Sequence, residues 1–150
     1  MRAQVVLKLQ GPLDHLRLLW QTGETLLEGM AFDTDPEANR YNVLLALQEM
    51  VTNVLRHAYD HNCDNPIEVR FEVDDRGLSV QLRDCGPRFD PLAHDTSDLE
   101  NLDAMPLESG GYGIFIAKMV MDQVDWRREG EWNVLTMKKL SAQPAHVTAD

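Results

Sequence analysis

Cysteine, basic side chains and long apolar runs are all scarce in this sequence. The only cysteines are Cys63 and Cys85, which are too few and too isolated for a disulfide framework or a CxxC zinc site. Lysine and arginine total 14 against 25 acidic residues, and this balance argues against binding to nucleic-acid phosphates. No apolar run is long enough for a membrane span and no signal peptide is recognisable, so we expect a cytoplasmic protein.

The overall composition is that of one globular domain. The chain has 150 residues, of which 43% are hydrophobic and 26% charged, enough to bury a core without metal or disulfide support. We find no internal repeat or low-complexity segment. We therefore predict a single domain over residues 1–140, followed by a flexible tail over residues 141–150.

Hydrophobic periodicity predicts an alternating order of strands and helices. The predicted elements are a strand over residues 2–10, a helix with Pro12 in its first turn, a long helix over 35–59, a hairpin over 67–82, a mobile loop or lid over 92–109, a helix after Gly113, and a hairpin over 124–140. This order favours a two-layer α/β sandwich with a mostly antiparallel mixed sheet.

The long helix carries the first group of candidate functional residues. Asp35 and Pro36 form a strong start signal, since aspartate accepts hydrogen bonds from free backbone N–H groups and proline fits the first turn. Glu49, Asn53 and His57 follow at intervals of four and share one face. A carboxylate and a carboxamide one turn apart can activate a hydroxyl and hold a hard cation. The alternative is an ordinary solvated polar face.

Two further blocks follow in the chain. Asp84 stands at the end of a predicted strand, where its carboxylate can accept a hydrogen bond from an exocyclic amine such as that of adenine, and Gly86 allows close approach of a ligand. Gly110, Gly111 and Gly113 precede a predicted helix, where free N–H groups attract phosphate. The alternatives are a Gly-Pro turn for the second block and a lid hinge without a ligand for the third.

Taken in order, the three blocks resemble the N, G1 and G2 boxes of the GHKL (HATPase_c) ATPase superfamily. The matching motifs are E-M-V-T-N-x-x-R-H-A-Y at residues 49–59, D-x-G-x-x-F-D-P at 84–91 and G-G-Y-G at 110–113. The sequence is most similar to the small anti-sigma-factor serine/threonine-protein kinases of the RsbW and SpoIIAB type, over roughly residues 3–140. The resemblance implies the Bergerat ATP-binding fold.

The resemblance implies roles for the residues of the first box. Glu49 would be the catalytic general base, orienting a serine hydroxyl or water towards the γ-phosphate of ATP. Asn53 would bind the cofactor by ligating Mg²⁺. His57 has two open roles, since it either contacts the phosphate side or braces the helix. A metal site formed by His57, His61 and Cys63 is disfavoured because no fourth ligand follows at suitable spacing.

The other two boxes would complete the nucleotide site. The resemblance implies that Asp84 reads the adenine amino group and that Gly86 lines the base pocket. Gly110, Gly111 and Gly113 belong to the loop that would cradle the phosphates. Because no lysine or arginine occurs over residues 89–117, charge neutralisation during phosphoryl transfer is uncertain. Lys118 and Arg56 are the candidate substitutes.

The implied function is that of an ATP-dependent kinase which phosphorylates a STAS-domain anti-sigma antagonist and also sequesters a sigma factor. The resemblance also implies a homodimer. An alternative is a non-catalytic regulator, in which ATP only fixes the partner-binding surface. A third reading is an acidic scaffold that no longer binds nucleotide. Labelled ATP and the Glu49→Ala variant would separate the first two.

Overall fold

The computed structural model describes residues 2–11, 14–59, 65–93 and 111–142. The elements are β1 (Ala3–Leu9), α1 (His15–Leu27), α2 (Pro36–Asn53), β2 (Ile67–Asp74), β3 (Gly77–Asp84), α3 (Gly111–Val120), β4 (Gln123–Glu129) and β5 (Trp132–Leu140). A π-helical turn, Val54–Ala58, continues α2, and a short 3-10 turn, Pro91–Ala93, follows β3. None of the helices within these ranges is long and apolar enough to cross a bilayer.

The five strands form one sheet in the order β1-β2-β3-β5-β4. Every pairing among the described strands is antiparallel. Alternate residues of β2 and β3 are buried, which shows that one face of the sheet is covered. Buried residues of all three helices join this face in one core. The predicted two-layer α/β sandwich is confirmed, with a sheet that is antiparallel throughout the described strands.

The sheet register brings together two residues that are far apart in sequence. Asp84 is the last residue of the central strand β3, and it lies opposite Asn133, near the start of β5. Both side chains are buried. Because this pair lies at the end of two neighbouring strands, the register places a polar cluster at one edge of the core.

Helix α1 begins later than the sequence suggested. Its first residue is His15, and Asp14 is the N-cap, with its Oδ1 accepting a hydrogen bond from the Arg17 N–H at 2.9 Å. The prediction that Pro12 stands in the first turn was therefore wrong, since the aspartate two residues later supplies the capping oxygen. Pro12 itself lies outside the described residues.

Helix α1 packs closely against α2 at Gly23. A Cβ atom at Gly23 would lie 2.8 Å from Leu44 Cδ2, a distance that side chains do not tolerate without displacement. The glycine weakens intrinsic helix propensity, but it lets the two helices approach each other. This approach covers the middle of the sheet, where Phe71 is fully buried.

Helix α2 confirms the predicted long helix. Asp35 caps it from a left-handed backbone conformation, with φ of 39°, and its carboxylate accepts a hydrogen bond from the Ala38 N–H at 3.4 Å. The regular α-helix ends at Asn53, and the π-helical turn carries the chain to Ala58. The Tyr59 N–H donates to the Val54 carbonyl oxygen at 3.1 Å. π-Turns of this kind are frequent at functional sites.

Helix α3 begins at Gly111, three residues before the predicted start at Ile114. The expectation that Gly111 and Gly113 precede the helix was wrong, because both lie in its first turn. Gly113 is buried there against α2, and the packing between these helices extends the helix through the glycines despite their low propensity. Of the predicted lid over 92–109, only Leu92 and Ala93 are among the described residues.

The chain remains bonded to the domain just beyond β5. The Ser141 N–H donates to the Arg76 carbonyl oxygen at 2.9 Å, and the Ala142 N–H donates to the Ala31 carbonyl oxygen at 2.8 Å. Residues 143–150 lie outside the described residues. The domain boundary at residue 140 stays a prediction.

Candidate functional site

A pocket lies between α2, the ends of β3 and β5, and the loop that follows β3. Its lining includes Asn53, Asp84, Phe89, Trp126 and Asn133. Its cavity volume is about 30 Å³, well below the roughly 300 to 1,000 Å³ of typical ligand pockets. A purine base would therefore have to displace side chains at the mouth.

Asp84 forms the polar floor of this pocket and is 6% exposed. Its Oδ1 accepts hydrogen bonds from Asn133 Nδ2 at 2.9 Å and from the Gly86 N–H at 3.0 Å. Among the described residues no hydrogen bond ends on Oδ2, so that oxygen can accept one from a ligand. Burial raises the pKa of Asp84, while the Asn133 and Gly86 hydrogen bonds and the Arg128 charge oppose the increase.

Asn133 holds the loop after β3 in place, and sequence analysis missed it. Its Nδ2 donates to Asp84 Oδ1 and to the carbonyl oxygens of Gly86 and Pro87, at 2.9 to 3.3 Å. Its Oδ1 accepts from the Phe89 N–H at 3.3 Å. An asparagine inside a strand is itself unusual, because β-strands disfavour it. That was the one available sequence signal.

Arg128 on β4 completes this network and was also missed. Its guanidinium Nη1 donates to the Gly86 carbonyl oxygen at 2.9 Å and to Asn133 Oδ1 at 3.1 Å. Because arginine donates only, it fixes which end of the Asn133 carboxamide is the oxygen. The Asn133 amide is thereby directed at Asp84.

Tyr59 connects the end of the α2 segment to the same loop. Its hydroxyl donates to the Pro66 carbonyl oxygen at 2.6 Å and accepts from the Cys85 N–H at 2.5 Å. Burial raises the pKa of Tyr59 to about 12, so the hydroxyl stays protonated near neutral pH. Burial and the neighbouring Asp84 charge also raise the pKa of the Cys85 thiol, which argues against a reactive thiolate.

The other end of the site is formed where α2 and α3 touch. A Cβ atom at Gly113 would lie 3.0 Å from Glu49 Cβ, 3.2 Å from Asn53 Nδ2 and 3.4 Å from Glu49 Oε2. Glycine is therefore the residue that fits here without displacing a neighbour. The start of α3 consequently lies beside both polar residues of the first motif, and a helix start attracts anions.

Asn53 also fits a role in holding magnesium. It is buried, it lines the pocket, and its carboxamide oxygen is a ligand type that Mg²⁺ accepts. Within the four described ranges no group of three or more His, Cys, Asp and Glu could hold a metal. The Asn53 carboxamide could supply one protein ligand to a Mg²⁺ ion held mainly by phosphates and water.

Several predicted site residues can be placed and others cannot. Asn53, Asp84 and Gly86 belong to or border the pocket, while Glu49 and Gly113 meet beside it. Gly111 is the first residue of α3. Gly110 and the His57 side chain lie outside the described parts of the structure, as do His61 and Cys63.

Two arginines lie on the side of the pocket that holds Asp84. Arg128 bonds the loop, and the Arg88 guanidinium lies over the Trp126 ring, 5.2 Å from its centroid. Arg56 and Lys118, the candidates for the other end, have exposed side chains.

Comparison with known proteins matches residues 16–139 to the family described as the histidine kinase-like ATPase domain. The serine-protein kinase RsbW of Staphylococcus epidermidis is 30% identical over 105 residues, which are 66% of this chain and 65% of that protein. The serine/threonine-protein kinase BtrW of Bordetella bronchiseptica is 27% identical over 105 residues, covering 69% of this chain and 72% of that protein. The chain thus spans just under two thirds of the RsbW relative.

A comparison of structures finds the histidine kinase AdeS of Acinetobacter baumannii. It shares 13% sequence identity with this chain and has a TM-score of 0.49. The match covers 85% of this chain and 64% of that one.

Proposed function

Because this chain belongs to the histidine kinase-like ATPase domain family, we propose that it binds Mg-ATP in the pocket between α2, β3 and β5. Adenine would lie against Asp84 and Gly86, and the phosphates would extend towards Asn53, Gly113 and the start of α3. Gly110, Gly111 and His57 are part of the proposal on sequence grounds alone.

One observation carries the proposal: Asn53 and Asp84 line the same pocket although they come from different layers of the fold. Asp84 offers Oδ2 as an acceptor for an exocyclic amine. Asn53 offers an oxygen to a cation, and the backbone N–H groups at the start of α3 suit an anion. An acceptor, a cation ligand and an anion site in this order are what an adenosine triphosphate requires.

We further propose that the protein is a serine/threonine kinase in which Glu49 is the general base. The serine hydroxyl oxygen of a partner attacks the γ-phosphorus, the bond from that phosphorus to the β–γ bridging oxygen breaks, and ADP leaves with the electron pair. Glu49 takes the hydroxyl proton. Magnesium, when bound, neutralises charge on the phosphates. The position of Glu49 beside Gly113 supports this role.

The names of the relatives support the proposed biology. RsbW and BtrW are serine-protein and serine/threonine-protein kinases, and we propose by likeness that this chain phosphorylates a STAS-domain anti-sigma antagonist. We propose that it also sequesters a sigma factor, as a cytoplasmic homodimer. The acidic net charge of −11 agrees with protein partners rather than nucleic acid.

Two measurements test the proposal. Titration calorimetry with Mg-ADP should give saturable binding, and labelled Mg-ATP should transfer phosphate to a STAS-domain protein carrying its acceptor serine. Glu49→Gln should abolish transfer and keep Mg-ADP binding, because the amide cannot take a proton. Glu37→Gln, an exposed glutamate at the other end of α2, is the matched control and should transfer normally. Absence of Mg-ADP binding would refute the proposal at its base.

A second candidate function is a non-catalytic regulator that binds a partner only when ATP is present. The absence of lysine and arginine over residues 89–117 favours it, because phosphoryl transfer needs positive charge near the transferred group. In this case Mg-ADP binds, no STAS-domain protein is ever phosphorylated, and Glu49→Gln leaves partner binding unchanged. The same two measurements therefore separate the candidates.

A further inference from the structure

Tyr59 is a buried side chain that joins two parts of the proposed nucleotide site. It is 5% exposed and directly follows the π-helical turn that ends α2. Its hydroxyl accepts the Cys85 N–H, across 26 residues of sequence, and donates to the Pro66 carbonyl oxygen. The roles that the family resemblance implies for the three motifs do not involve this hydroxyl.

The hydrogen bond to Cys85 acts on Asp84 through the backbone. The Cys85 N–H belongs to the peptide group that links Asp84 to Cys85. A hydrogen bond that holds this N–H therefore limits rotation of the peptide group, and with it movement of the Asp84 carbonyl and carboxylate. On the opposite side, Asp84 Oδ1 is held by Asn133 and by the Gly86 N–H. Tyr59 thus holds the backbone of Asp84 from the helical layer, and Asn133 holds its carboxylate from the sheet.

The hydroxyl can perform both functions only while it is protonated. It donates one hydrogen bond and accepts another, and burial raises its pKa to about 12. Loss of the oxygen alone, as in phenylalanine, would leave the Pro66 carbonyl and the Cys85 N–H without this partner but would keep the ring in the core.

We infer that Tyr59 is a positioning residue which sets the preference of the pocket for a 6-amino purine by holding the Asp84 backbone. This inference rests on the proposed function. It predicts that removing the hydroxyl harms recognition of the amine more than recognition of the rest of the nucleotide.

Calorimetric titration with Mg-ATP and Mg-ITP tests this inference, since ITP carries a keto group where ATP carries the amine. Tyr59→Phe should weaken Mg-ATP binding by about 3- to 10-fold, as expected for one hydrogen bond, and should change Mg-ITP binding less than about 2-fold. The ATP-to-ITP preference therefore falls. Tyr41→Phe is the matched control, because Tyr41 is 55% exposed and lies at the other end of α2. It should leave both affinities unchanged.

Amide hydrogen exchange gives a second readout, since Tyr59→Phe should speed exchange at the Cys85 N–H. The inference is overturned if Tyr59→Phe lowers both affinities equally, which is a merely structural effect, or leaves the preference unchanged. It also falls if wild-type protein does not prefer ATP to ITP. A wild-type protein that binds neither nucleotide overturns the proposed function itself, which distinguishes the two failures.

Discussion

The two ends of the site are built by different physical means. Around Asp84, side chains from β3, β4, β5 and the end of the α2 segment hydrogen-bond one another or the backbone of the loop after β3. Around Glu49, the geometry is set by the close approach of two helices at a residue without a side chain. Hydrogen-bond direction therefore determines the geometry around Asp84, whereas the space available to side chains determines the geometry around Glu49. Substitutions should therefore damage the two ends in different ways.

The largest expected effect is that of Asn133→Ala. It removes the hydrogen bonds from Asn133 to Asp84 Oδ1 and to two loop carbonyl oxygens, and the one that Asn133 accepts from Arg128, and losing several buried hydrogen bonds at once is costly. We expect the free energy of unfolding to fall by about 3 kcal/mol, measured by urea denaturation. Asn39→Ala, which removes hydrogen bonds at an exposed helix start, should cost less than about 1 kcal/mol. Equal losses would show that hydrogen bonding does not determine the geometry around Asp84.

Gly113→Ala should have the next largest effect and should act through volume. The new methyl group must displace Glu49 or Asn53, so we expect the affinity for Mg-ADP to fall about 30-fold, equivalent to about 2 kcal/mol. Calorimetry measures this directly. In Gly23→Ala, the methyl group meets only the flexible end of Leu44 at its closest contact, so nucleotide affinity should not change. If Gly113→Ala left the affinity for Mg-ADP unchanged, steric exclusion at residue 113 would not determine the geometry around Glu49 and Asn53.

The pH dependence of nucleotide binding also distinguishes the two ends of the site, because Asp84 is a titrating group that we expect to contact the adenine base. Burial raises its pKa, so on acidification it takes up a proton at a higher pH than an ordinary aspartate does. The protonated carboxyl is a poorer acceptor for an amine. Below that raised pKa, Mg-ATP affinity should fall up to about tenfold per pH unit.

Calorimetry across the acidic range, with Mg-ITP as the comparison ligand, measures this loss. Because ITP lacks the amine, its affinity should depend less on Asp84 protonation. Asp84→Asn should bind Mg-ATP weakly at all these pH values and lack the transition. If wild type and Asp84→Asn had the same pH profile, Asp84 would not be the titrating group.

The smallest effect compares two neighbouring arginines on β4. Arg128→Ala loses hydrogen bonds to Gly86 and Asn133 and should cost about 1 kcal/mol of unfolding free energy. Arg127→Ala loses only an exposed ion pair with Glu129, which should be worth less than about 0.5 kcal/mol. Urea denaturation of both variants tests this order. A larger loss of unfolding free energy in Arg127→Ala would show that the hydrogen bonds of Arg128 to Gly86 and Asn133 are not the important interactions of this strand.

The sequence predicted the end of the site that is local in the chain. Glu49 and Asn53 are one helical turn apart, so helical periodicity alone put them on one face. Asp84 and Gly86 were chosen as candidates because they follow a strand with clear alternation, and the structure places Asp84 in the lining of the same pocket as Asn53. The fold class also followed from the order of alternating and helical segments.

The partners of Asp84 could not be predicted, because the register of the sheet decides them. Asn133 stands 49 residues beyond Asp84, and only the pairing of β3 with β5 brings them together. The start of α3 was misplaced for a related reason. Glycine propensity disfavours a helix, whereas packing against α2, which sequence analysis does not reveal, extends α3 through Gly111 and Gly113.

The narrowness of the pocket has a kinetic consequence. The cavity volume is about 30 Å³, so a nucleotide can enter only when Phe89 and its neighbours move aside. Association should then be slower than with an open pocket, because a conformational change that binding requires lowers the association rate constant, and bound nucleotide should also leave slowly. A protein with this pocket would hold bound nucleotide for long periods and respond gradually to changes in nucleotide concentration.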